Sequence, residues 1–62
     1  MKRVVREYLD KVVEEAKKPG VEVDLRYVLK EAQEVLRKHG YVAGLYQQVV
    51  ECRDYLLSRI KF

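Results

Sequence analysis

The chain has 62 residues, 13 Lys+Arg against 10 Asp+Glu for a net charge of +3, and one Cys and one His. A chain of this length allows one domain, residues 1–62, that buries only about 60% of the surface its unfolded form exposes and leaves little room for an internal cofactor cavity. One Cys excludes an intramolecular disulfide and a multi-thiolate zinc site.

Hydrophobic residues make up 48% and charged residues 37%. The charged share is high against about 25% in ordinary domains, and both signs are interspersed, which reads as a folded, solvated surface. No apolar run approaches the ~20 residues that span a bilayer. The start, MKRVVREYLDKVV, is basic but has no uninterrupted apolar stretch of signal-peptide type. The expectation is a soluble, cytoplasmic protein with no membrane partner. Asn is absent and Cys and Met occur once each, a profile of thermostable proteins. A designed mini-protein shares that profile, although five Tyr and only three Ala suit an idealised helical design less well.

Val4, Val5, Tyr8, Leu9, Val12, Val13 and Ala16 recur at spacings of one, three and four. That periodicity predicts a first helix over about residues 2–18. Lys17 and Lys18 suit its C-terminal dipole, and Pro19 and Gly20 stop it. Asp24 stands where an N-cap is needed, with Val23 and Val28 at the spacing of a hydrophobic staple. A second helix is predicted over 24–39, its stripe formed by Leu25, Val28, Leu29, Ala32, Val35, Leu36 and His39, with Gly40 as the terminating residue. The third, over 41–60, places Val42, Leu45, Tyr46, Val49, Val50, Cys52, Leu56, Leu57 and Ile60 within an arc of about 160°. Gly44 weakens its first turn. Short connections make sequential helices antiparallel, so the fold class is all-α, an up-down-up three-helix bundle. Leu9, Val12, Leu29, Ala32, Leu36, Leu45, Val49 and Leu56 are its expected core.

Cys52 and His39 are the only candidates for a Cys/His nucleophilic pair, which must lie within hydrogen-bond reach. His39 falls near the turn into the third helix and Cys52 about 18 Å further along it. Cys52 therefore reads as an apolar filler at the edge of a helix face, and His39 as a last-turn residue favoured by the dipole. Glu14 and Glu15 point about 100° apart and do not share an ion. No catalytic residue, cofactor or metal site is expected, and the chain does not read as an enzyme.

Arg53 breaks the apolar pattern of the third helix. A guanidinium there must be paired, must snorkel, or must be held for a partner. Glu15, at the same height on the first helix, is the expected ion-pair partner. Tyr27 and Tyr55 fall opposite the apolar stripes, where exposed Tyr serves binding surfaces. Arg53, Glu15, Tyr27 and Tyr55 are thus the interaction candidates.

Two functions follow. The first is a non-catalytic protein-interaction or self-association module, its partner a protein or a second copy in a homodimer. The apolar arcs of the first and third helices are wider than a narrow seam needs, and the excess can pack on another chain. The alternative is weak nucleic-acid binding through a basic pole. Lys2, Arg3 and Arg6 at the start of the first helix meet Arg37, Lys38 and Tyr41 at the end of the second.

Overall fold

The computed structural model describes residues 1–62. Three helices, α1 (Arg3–Ala16), α2 (Leu25–Lys38) and α3 (Leu45–Arg59), pack against one another pairwise, with no strand. The three-helix bundle read from the sequence is the observed architecture. It is an elongated body of 36 × 17 × 17 Å.

Each helix contributes one row of buried side chains at a spacing of four. Val5, Leu9 and Val13 come from α1, Val28, Ala32 and Leu36 from α2, and Cys52 and Leu56 from α3. Rows of this spacing are the ridges by which helices interdigitate. Of the eight expected core residues, Leu9, Ala32, Leu36 and Leu56 are fully buried. Val12, Leu29 and Leu45 are only half-buried, at the margins of the core, and Val49 is half-buried. Val5, Val13, Val28 and Cys52 occupy the centre in their place. With only four of the eight buried, the helix faces are turned from those expected, and the centres of the stripes lie on the rows of Val5, Val28 and Cys52. Cys52 in particular is central to its face and not at its edge, because a thiol is small enough to lie where three helices converge.

The helix boundaries follow from local chemistry. Asp24 Oδ1 accepts from the backbone N–H of Arg26 at 2.9 Å and of Tyr27 at 3.4 Å, which satisfies two free donors of the first turn of α2. Val28 is buried and Val23 packs beside it on the core, as the staple requires. Gly40 ends α2 at φ +78°, a left-handed conformation that other residues rarely adopt. There Gly40 N–H donates to Arg37 O and Tyr41 N–H to Leu36 O, the paired bonds of a Schellman motif.

The motif delays α3, which begins at Leu45 and not near residue 41. Residues 41–44 connect the two helices, with a turn at Ala43 and Gly44, the latter at φ +66°. Gln48 Nε2 reaches back from α3 to Tyr41 O at 3.3 Å and Ala43 O at 3.0 Å, which holds the turn onto the helix. No helix is long and apolar enough to cross a membrane.

Candidate functional site

α3 carries apolar side chains on two sides. At 100° per residue, Leu45, Val49, Cys52 and Leu56 share one side and Tyr46, Val50 and Leu57 lie about a quarter-turn to a third of a turn away. The first set faces α1 and α2. The second faces outward, with Tyr46 85%, Val50 46% and Leu57 48% exposed. The single arc read from the sequence is therefore two stripes, one covered by the bundle and one open. The corresponding excess on α1 is absorbed within the fold, where Val4, Tyr8, Val12 and Ala16 are half-buried.

This division corrects the reading of Arg53. Its neighbour Cys52 marks the centre of the inner side, so Arg53 lies about 100° away on the border of the outer stripe. Its side chain is 55% exposed, and its nearest carboxylate is Asp54 Oδ1 at 4.0 Å. The expected pair with Glu15 does not form. Glu15 is exposed and accepts instead from Lys18 Nζ at 3.0 Å, three residues along its own helix. Arg53 is consequently part of the outer surface and does not fix the register of the bundle.

Tyr55 is also corrected. It lies three residues from Cys52 and one from Leu56, which turns it towards α1, half-buried against the core. Its hydroxyl donates to Asp10 Oδ1 of α1, and the Arg59 guanidinium lies 3.7 Å from its ring centroid. Tyr55 thus links α1 to α3 and is not a free contact residue. Tyr27 is exposed as expected. It neighbours Tyr8, whose hydroxyl pKa is raised by burial first, then by the negative charge of Glu31 and by Tyr27.

Of the residues expected at the basic pole, Lys2 and Tyr41 are in contact. Lys2 Nζ lies over the Tyr41 ring at 5.0 Å from its centroid, which joins the start of α1 to the end of α2. Arg3 is engaged by Glu7 at 3.2 Å. Arg6, Arg37 and Lys38 make no ion pair.

The two nucleophile candidates remain separate. Cys52 is fully buried, and burial, then Glu51, pushes its thiol pKa up. A raised pKa and lack of access both oppose thiolate chemistry. The exposed His39 ring places Nδ1 2.9 Å from Val35 O. No group of three or more His, Cys, Asp or Glu side chains is arranged to hold a metal ion.

Comparison with known proteins finds no matching family model, no matching curated protein and no matching solved structure. The site must be read from its own chemistry. The residues missed in the sequence are Tyr46, Val50 and Leu57. Their signal was present in the breadth of the α3 arc, and resolving it required knowing which side of α3 the other helices cover.

Proposed function

We propose that the protein is a non-catalytic helical module that docks another protein chain on the outer face of α3. One observation carries this reading. Tyr46, Val50 and Leu57, with Arg53 among them, line one side of α3 as large apolar groups in water, whereas α1 exposes no such group and α2 only Tyr27. Single exposed apolar residues are ordinary, but a row on one face marks an interaction surface. Tyr46 adds a large, stiff side chain of the kind enriched at interfaces. The inaccessible Cys52 and the backbone-engaged His39 support the non-catalytic part of the proposal.

The test is a photo-crosslinking amino acid placed at position 46, with position 27 as control. Position 46 should yield a protein–protein product that is lost when Leu57→Asp is added, and position 27 should yield none. No product from position 46, with the purified protein or in a cell extract, would overturn the reading.

A second reading is weak nucleic-acid binding at the pole of Lys2, Arg6, Arg37 and Lys38, favoured by the stacking of Lys2 on Tyr41. Retention on single-stranded DNA should then fall steeply with salt, by about 0.7 in log K per log salt for each phosphate contacted. Salt-independent retention, or none, excludes it.

A further inference from the structure

We infer that the groove between α1 and the start of α2 binds a small organic ammonium ion, its apolar body over Val12 and Val28 and its cationic head beside Tyr8, Tyr27 and Glu31. This site is separate from the outer side of α3 and does not rest on the docking role proposed there.

The connection between α1 and α2 builds the groove. Val21 and Val23 come from that connection, Tyr8 and Val12 from α1, and Tyr27 and Val28 from α2. The groove has a volume of about 350 Å³, the size of a small-molecule site. Val21 is 40% and Tyr27 61% exposed, so apolar and aromatic surface is left in water there. Covering that surface favours a ligand with an apolar body.

The charge of the head follows from the groups at one end. Glu31 lies one helical turn beyond Tyr27. Its negative charge acts on the Tyr8 hydroxyl, and so does Tyr27. Three oxygen-bearing groups from α1 and α2 therefore share that end. Glu31 is half-buried, yet it makes no ion pair and no side-chain hydrogen bond. The hydroxyls of Tyr8 and Tyr27 are equally free, whereas that of Tyr55 is bonded to Asp10. A half-buried carboxylate is costly without a partner. A primary ammonium brings three donors to these three groups, and the tyrosine rings attract a cation through their faces.

The wider field of the groove has the same sign. The whole chain carries a net charge of +3. Around this groove, however, Glu22, Asp24 and Glu31 outnumber Lys11, and Glu15 is engaged by Lys18. Lys11 is exposed and makes no ion pair, so it leaves Glu31 uncompensated. An anion or a neutral ligand gains nothing from this arrangement.

The test is a titration of the full chain with pentylammonium chloride at neutral pH and fixed ionic strength, followed by amide NMR. Shifts should saturate and centre on Tyr8, Val12, Val23, Tyr27 and Glu31. Pentanol has the same stem without the charge and should bind more weakly by about fivefold or more. Glu31→Gln should weaken pentylammonium binding to a similar extent, with circular dichroism showing that the fold is kept. Asp54→Asn makes the same charge change on α3 and should leave the affinity within about twofold, because screening removes distant charges. No saturable shift with pentylammonium would overturn the site. Equal binding of pentanol, or of pentylammonium to Glu31→Gln, would overturn the ammonium as its ligand. The pentanol comparison uses the wild type alone, so it decides even if Glu31→Gln fails to fold.

Discussion

Leu56 and Leu57 are adjacent in sequence and opposite in circumstance. Leu56 is 0% exposed in the core and Leu57 is 48% exposed on the outer stripe. Truncating Leu56 to Ala removes the apolar transfer energy of a fully buried side chain and leaves a cavity between three helices. Such substitutions cost about 2–5 kcal/mol. The native state of a chain this size is stable by only about 3–9 kcal/mol, so Leu56→Ala should remove a large fraction of it. At about 4–8 °C per kcal/mol, the melting temperature should fall by roughly 8–40 °C. Leu57→Ala loses half-solvated contacts and gains helix propensity, so its effect on the monomer should stay within about 0.5 kcal/mol. Urea denaturation at low protein concentration, where association is suppressed, measures both, and unchanged slopes confirm that only stability moved. Equal costs for the two leucines would mean that the inner and outer sides of α3 are wrongly assigned, and the docking face with them.

Asp24→Ala should destabilise by about 1 kcal/mol in the same assay through loss of the α2 cap, and a neutral result would refute the capping role. Tyr55→Phe should cost about 0.5–1.5 kcal/mol by removing the bond to Asp10, with a non-zero coupling to Asp10→Asn in a double-mutant cycle. Additive effects would show that the link between α1 and α3 contributes nothing. The Cys52 thiol should resist a disulfide reagent in the native protein and react at once in denaturant, so rapid native labelling would contradict its burial. Its folded-state pKa is raised by burial, so the stability tied to the neutral thiol is complete below the unfolded thiol pKa. That stability is lost as pH rises through the unfolded value towards the folded one. Cys52→Ala should remove this part of the alkaline destabilisation.

The helices and their order were legible because periodicity, the Asp24 cap and the Gly20 and Gly40 stops all act locally. The start of α3 was misjudged for a tertiary reason. Residues 41–44 have helix-compatible spacing, but the Schellman bonds at Gly40 and the reach of Gln48 draw them into the connection between α2 and α3. Faces were harder to assign than helices. A 100° error moves Arg53 from the inner side to the outer border and Tyr55 from solvent to a contact with Asp10. Periodicity gives the width of an apolar arc, and only the packing of the other helices says which part they cover. Where α3 is apolar on two sides, that distinction separates core from candidate interface.

The most direct measurement of the docking role is crosslinking from a photoreactive amino acid at position 46. A protein–protein product should form there, and it should vanish when Leu57→Asp is added. No product from position 46, or a product that survives Leu57→Asp unchanged, would contradict docking through the outer side of α3.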